Sequence, residues 1–311
     1  MSKKKIFIDG KAGTTGLRIE ERLSMRDDIE IVTLPDELRK DPEAKKKVLN
    51  SVDIAFLCLP DAAAIESVAL IDNPNVVVID TSTAHRTNPD WAYGFSELDK
   101  AFEDKIKNSK RIAVPGCHAS GFIALVYPLI KNGIISPDTY LTCHSLTGYS
   151  GGGKKMIEEY NAQDRSELFD APRQYGLTQT HKHLPEMSKI TGLNNLPIFC
   201  PIVADFYSGM EVTVPLFKSQ LLKGDIDTIK EIYKSTYNTE IVYYKDNSSE
   251  NGLLSAGALS GKDSMQIEVF GNEDRILLTA RYDNLGKGAS GAAVECLNIV
   301  LGQEKTKTLE V

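Results

Sequence analysis

The chain has 311 residues, 41% of them hydrophobic and 25% charged, with a formal charge of −7. That length allows two domains, each with its own core, and the composition is that of a globular protein. The acidic balance excludes a general nucleic-acid binder, which carries a basic face, and no apolar run approaches the ~20 residues that span a bilayer. The scattered cysteines Cys58, Cys117, Cys143, Cys200 and Cys296 include no C-x-x-C pair, so neither a zinc site nor a disulfide framework is expected. Free thiols in a reducing cytoplasm fit this usage. Lys3-Lys4-Lys5 reads as a solubilising run before a strand and not as a secretory leader.

Lys5 to Ile8 reads as a strand, Asp9 to Gly16 as a glycine-rich turn, and Leu17 to Leu23 as a helix with apolar residues at helical spacing. Strand, glycine turn and helix open a dinucleotide-binding unit. The spacing Gly10-x-x-Gly13-x-x-Gly16, with Ala12, Thr14 and Thr15 between, lets backbone N–H groups and a helix N-terminus approach a pyrophosphate. Ile29 to Leu34 is the second strand. The loop after it offers Asp36 and Glu37, which suit the ribose diol of NAD, and Arg39 and Lys40, which suit a 2′-phosphate. The choice stays open here, with a lean toward NADP.

Asp53 to Leu59 and Val76 to Ile79 are nearly continuous apolar strands, as in a parallel sheet covered on both faces, with Ala62 to Leu70 a helix between them. Past the second strand lie His85, expected as a loop hydrogen-bonder, and Arg86, a candidate cation for an anionic substrate group. Lys110 to Val114 is a further strand. Pro115 and Gly116 then turn the chain, and Ser120 to Leu129 resumes as an apolar helix. Cys117 would therefore sit at a helix N-terminus, where free N–H groups and the helix dipole favour a thiolate, the form that attacks a carbonyl carbon. The alternation over residues 5–130 predicts a Rossmann-type doubly wound parallel sheet.

After Gly133 the pattern changes. Thr139 to Leu146 reads as a strand, followed by a second glycine-rich loop, Gly148 to Gly153, in which Gly151 and Lys154 are candidates to hold an anion. His181 and His183, at i and i+2, would face the same way on a strand. They lack further ligands at metal spacing, so no metal is expected, and a general base suits an imidazole that titrates near neutrality. Ile198–Val203, Tyr207–Leu216, Glu240–Tyr244, Ser264–Gly271 and Arg275–Tyr282 read as strands and Ile226–Thr236 as an amphipathic helix, which predicts an α+β domain with a mixed, mostly antiparallel sheet. The apolar helix Ala292 to Leu301 should pack back on the first domain, and Glu304 to Val311 reads as a solvated tail. The expected domains are 1–116 with 285–311 for the dinucleotide, and 117–284 for catalysis and oligomerisation.

Gly10 to Gly16, Pro115-Gly116-Cys117, Gly148 to Gly153, His181-x-His183-x-Pro185-Glu186 and Lys287-Gly288-Ala289-Ser290-Gly291 follow one another at distances that resemble the N-acetyl-gamma-glutamyl-phosphate reductase family of arginine biosynthesis, in its shorter variety. That family is similar in architecture to aspartate-semialdehyde dehydrogenases. The chain departs from the longer variety at His118-Ala119-Ser120, where a Tyr-Pro-Thr-like stretch would follow the cysteine. The resemblance implies a cytoplasmic NADPH-dependent enzyme acting on a small acyl phosphate, a homo-oligomer and in family terms a tetramer, without nucleic-acid or membrane partners. It implies Cys117 as nucleophile and His181 as base, and His183 and Glu186 lining the substrate site. It also implies Gly288 in a turn approaching the nicotinamide, and cations drawn from Arg86, Lys154, Arg165 and Arg173. The competing expectations are a sister enzyme acting on aspartyl or aminoadipyl phosphate, and a non-catalytic dinucleotide-binding regulator.

Overall fold

A computed structural model describes residues 3–39 and 41–311, with Asp36 described by its backbone alone. Lys40 and the Asp36 side chain, both weighed above for the ribose, lie outside the described residues. The chain forms two compact units. Among the described residues, the first runs from residue 3 to Ser96 and adds Lys100–Pro115 and Ala289–Leu309; the second holds Glu97–Asp99, Gly116–Gly288 and Glu310–Val311. The divisions thus fall after residues 115 and 288 where 116 and 284 were expected. Gly288 packs against Cys117, which keeps the end of that segment with the second unit.

The first unit contains β1 (Lys4–Asp9), α1 (Thr14–Ser24), β2 (Ile29–Val32), α2 (Pro42–Leu49), β3 (Ile54–Leu57), α3 (Asp61–Ala69), β4 (Val77–Asp80), β5 (Ala92–Tyr93), α4 (Lys100–Asn108) and β6 (Arg111–Ala113). Its strands pair in parallel in the order β2-β1-β3-β4-β6-β5. The two-residue period of a strand sends Ile6 and Ile8 into one core cluster and Phe7 into another, so both faces of the sheet are covered, as a doubly wound sheet requires. The C-terminal helix, Gly291–Val300, places Ala292, Ala293, Val294 and Leu297 in the same cluster as Ile6 and Ile8. Helix α2 was not expected, although its cue is local: Asp41 accepts the Ala44 N–H at 2.7 Å and Pro42 starts the helix.

The second unit contains α5 (Cys117–Lys131), β7 (Thr142–Gly148), α6 (Gly153–Asn161), β8 (Arg173–Gln174), α7 (Leu184–Thr191), β9 (Ile198–Ala204), β10 (Met210–Phe217), α8 (Ile226–Thr236), β11 (Val242–Tyr244), β12 (Met265–Gly271) and β13 (Arg275–Tyr282). Its mixed sheet runs β11-β12-β13-β10-β7-β9-β8, with parallel pairs only at β11/β12 and β7/β9. Helix α5 is buried on nearly every side, packed against β10, β13, α7 and α8. Strand β10 buries every second residue, so its other residues face away from these helices. The expected solvated tail is instead tied down. In the first unit, the buried Asn298 amide donates to the carbonyls of Lys305 and Lys307, both at 2.9 Å. In the second, the Glu310 N–H donates to Asp263 at 2.9 Å. Buried main-chain and amide groups need partners, and the terminal residues supply them.

Candidate active site and nucleotide cradle

In the first unit, the turn between β1 and α1 is built from glycines that a side chain would disrupt. Gly10 has φ +84°, and a Cβ there would lie 2.3 Å from the Cys58 carbonyl oxygen. A Cβ at Gly16 would lie 2.6 Å from the Gly10 oxygen, so α1 starts hard against the turn. Gly13 is the N-cap, and its N–H donates to the Gly10 carbonyl at 3.0 Å. Thr14 and Thr15 form the first turn of α1, and their N–H groups have no intrahelical acceptor. Beside this turn is a cavity of about 390 Å³ lined by Gly10, Lys11, Ala12, Thr33, Arg39 and Lys45 among others. Lys45 Nζ lies 3.1 Å from Asp9 Oδ2. Close main-chain approach, a helix N-terminus and three basic side chains fit a phosphate-bearing dinucleotide. Lys45 escaped the sequence reading because α2 did.

The residues past β4 serve their own unit. The buried Arg86 guanidinium donates to the main-chain oxygens of Val114 and Thr81, each at 2.9 Å, and so braces the ends of two neighbouring strands. The His85 ring lies 2.7 Å from Asp80 through Nδ1 and stacks on Trp91 at 4.0 Å between centroids. Arg86 was expected to meet an anionic substrate group. Its burial instead engages these donors with backbone carbonyls.

In the second unit, Cys117 is the first residue of α5, after the N-cap Gly116. The helix begins three residues earlier than the apolar run at Ser120 indicated, which puts the thiol at its N-terminus. His118 is buried, with Nδ1 2.6 Å from Ser145 Oγ and Nε2 2.6 Å from the Tyr175 hydroxyl. Burial, then the neighbouring His181, pushes its pKa down to about 3, so the ring is neutral. His181 stands 6.0 Å from His118 and 4.8 Å from His183 between ring centroids. Burial, then Lys182, lowers the His181 pKa as well. His181 and His183 lie in a turn before α7, not on a strand, yet the turn still gathers their rings. His181 Nδ1 accepts the His183 N–H at 3.2 Å, which leaves the neutral ring's proton on Nε2. Glu186, in the first turn of α7, accepts the Gly116 N–H at 2.8 Å. A Cβ on Gly288 would lie 3.1 Å from Cys117 Cβ.

The second glycine-rich loop is tied to the protein more than a free anion cradle would be. The N–H groups of Gly148, Tyr149 and Ser150 donate to the carbonyls of Gly209, Phe206 and Tyr207. The 3-10 turn Tyr149–Gly152 engages the next amides of the loop, and the Gly153 N–H caps the Ser150 carbonyl. Gly151 and Lys154 are both exposed. Arg165 pairs with Asp205 and Asp170 at 2.7 and 2.6 Å. Arg173 lies over the Phe169 ring at 3.8 Å. Sequence reasoning missed Ser145, Tyr175 and Tyr282. Each is an ordinary strand or loop residue by pattern, and only folding brings it to the Cys117 helix.

Residues 117–284 match the family described as "Semialdehyde dehydrogenase, dimerisation domain", and residues 11–108 the one described as "Semialdehyde dehydrogenase, NAD binding domain". The chain is 44% identical over 315 residues to N-acetyl-gamma-glutamyl-phosphate reductase 2 of Nostoc sp., covering 97% of this chain and 98% of that one. It is 41% identical over 306 residues to the enzyme of that name from Pseudomonas putida, covering 96% of each. Aspartate semialdehyde dehydrogenase II of Vibrio cholerae shares the fold, with TM-score 0.74 at 16% identity, over 97% of this chain and 99% of that one. The aspartate semialdehyde dehydrogenase of Candida albicans, solved with NADP, has TM-score 0.68 at 15% identity, over 96% and 99%.

Proposed function

The chain belongs to the N-acetyl-gamma-glutamyl-phosphate reductase family, and from that premise we propose that it reduces N-acetyl-gamma-glutamyl phosphate with NADPH, in arginine biosynthesis, through a thioester on Cys117. The observation that carries this reading is a thiol on the first residue of α5, next in the chain to His118, whose ring lies 6.0 Å from that of His181. The Cys117 thiolate attacks the acyl carbon, a C–S bond forms, the C–O bond to phosphorus breaks, and phosphate leaves. NADPH, when bound, supplies the hydride that reduces the thioester carbonyl. The resulting hemithioacetal collapses, the C–S bond breaks, and N-acetylglutamate 5-semialdehyde departs.

The chain's own residues serve the oxygen that turns negative in each tetrahedral species. The first amides of α5 have no intrahelical acceptor, and donors of this kind stabilise such an oxygen. His181, with its proton on Nε2, donates a hydrogen bond to that oxygen and stabilises its charge until the C–S bond breaks. A neutral imidazole suits this donor role, and the lowered His181 pKa keeps it neutral at pH 7. His183 lines the same cluster. Gly10, Gly16, Arg39 and Lys45 would hold the cofactor's phosphates in the first unit.

The enzyme is a cytoplasmic homo-oligomer, a tetramer, in this reading. Ile198, Phe217 and Leu277 are exposed on the sheet face that alternation turns away from the helices, which supports association of copies there. No helix among the described residues is long and apolar enough to cross a membrane. Light scattering on the purified protein tests the tetramer. The activity is tested by the reverse reaction, NADP reduction with N-acetylglutamate semialdehyde and phosphate, on wild type and Cys117→Ser. Phosphate-dependent turnover lost in the mutant is the expected result. Turnover that survives would make Cys117 structural, and turnover only with aspartate semialdehyde would move the chain to the sister chemistry.

A further inference from the structure

We propose that Glu186 and Tyr282 are positioning residues for the nucleophile, holding the Gly116–Cys117 turn by its main chain from α7 on one side and β13 on the other. The inference rests on Cys117 as the attacking group. Gly116, the N-cap, has no side chain with which to cap its helix. In a capping box the glutamate at the third helical position reaches back to the N-cap N–H. Here that position is Ala119, and Glu186 performs the same service from another helix, its Oε1 accepting the Gly116 N–H at 2.8 Å. The Glu186 side chain is buried, so the bond is shielded from water.

Tyr282 holds the next groups along. Its hydroxyl donates to the Cys117 carbonyl at 2.5 Å and accepts the Gly121 N–H at 3.0 Å. These are the carbonyl and amide that face each other at the first step of a helix starting at Cys117. The approach depends on Gly121, where a Cβ would lie 2.7 Å from the Tyr282 hydroxyl and 2.6 Å from Val212 Cγ2. Burial, and then the charge of Cys117, raises the Tyr282 pKa well above its ordinary value, so the hydroxyl stays a donor. Gly288 closes a third side by contact.

The arrangement has a chemical consequence. A serine or aspartate N-cap would occupy the N–H of His118 or Ala119 with its own oxygen. Capping from outside fixes the turn without placing a side-chain oxygen on those amides. A small rotation of the turn would carry Sγ away from its line of attack, and misplacement on the order of 1 Å costs about a hundredfold in rate.

The test uses the whole enzyme and two readouts, iodoacetamide alkylation of Cys117 without substrate (Cys117→Ser as blank) and the kcat–KM split of the reverse reaction. Glu186→Ala should lower the maximal alkylation rate and kcat about tenfold or more, with the semialdehyde KM little changed. Glu186→Gln keeps an oxygen that can accept the Gly116 N–H and should recover most of the alkylation rate. Tyr282→Phe should lower both rates about threefold to tenfold. A loss confined to KM, with normal alkylation, would mean Glu186 touches substrate, and the proposal fails. If Glu186→Ala does not fold, Tyr282→Phe decides, and an unchanged alkylation rate in it overturns the inference. Because alkylation needs no substrate, an enzyme inactive on acetylglutamate semialdehyde would sink the proposed activity and still leave this inference open to its own result.

Discussion

Gly16→Ala should loosen the nucleotide cradle by a predictable amount. The new methyl would lie 2.6 Å from the Gly10 oxygen and 2.8 Å from Lys11 Cα, both main-chain atoms with little freedom to give way. Ordinary contact begins near 3.4 Å, so turn and helix must separate by about 0.8 Å (3.4 − 2.6). Overpacking of this kind costs about 1–3 kcal/mol, and alanine's better helix propensity returns about 1 kcal/mol. At roughly 2–4 °C per kcal/mol, the melting temperature should fall by a few degrees. Amides moved by that distance lose charge-assisted bonds to a pyrophosphate, each worth about 1.5–3 kcal/mol, so the Kd for NADPH should rise about tenfold or more. Thermal unfolding by circular dichroism and a fluorescence titration with NADPH measure both. Gly13→Ala is the control, because its Cβ would sit 3.5 Å from the Gly10 oxygen at φ −77°, so its melting temperature should match wild type. The reasoning is refuted if Gly16→Ala melts and binds like wild type, or if Gly13→Ala is equally unstable.

Three further outcomes follow from buried groups. His118 titrates at about 3 in the fold against 6.5 ordinarily, so as pH falls the unfolded chain takes up the proton first. Stability should therefore decline from about pH 6.5 toward about pH 3, and His118→Gln should flatten that slope in melting curves recorded between those limits; parallel curves would sink the idea. Lys287 and Glu97 form a buried ion pair at 2.8 Å. Lys287→Met should cost about 3–5 kcal/mol in denaturant unfolding, and adding Glu97→Gln should recover much of it, whereas an additive double mutant would show that the pair does not act as one. Arg39→Ala and Lys45→Ala should each raise the KM for NADPH about tenfold with little effect on NADH. Equal losses with both cofactors would place these side chains away from the 2′-phosphate.

Local pattern carried much of the architecture. Helix α8 at Ile226–Thr236 and strand β13 at Arg275–Tyr282 have the bounds their periodicity predicted, and the apolar runs at β3 and β4 announced a sheet covered on both faces. Gly10 and Gly16 were legible because a tight strand-to-helix turn leaves no room for Cβ, and Pro115-Gly116 marked Cys117 as the start of a helix. These signals are local, set by backbone sterics and the period of burial. What surrounds the thiol is not local. Tyr282 lies 165 residues from Cys117 in the chain, and Tyr175 57 residues from His118, yet both bond to the start of α5. Arg86 looked like a substrate cation until folding set the carbonyls of Val114 and Thr81 against it, and the Gly148 loop looked open until the 206–209 segment took up its first amides. A hydrogen-bonding side chain states only what it can donate or accept. Which partner it meets depends on how sheet and helices pack, and that packing is decided by the fold as a whole.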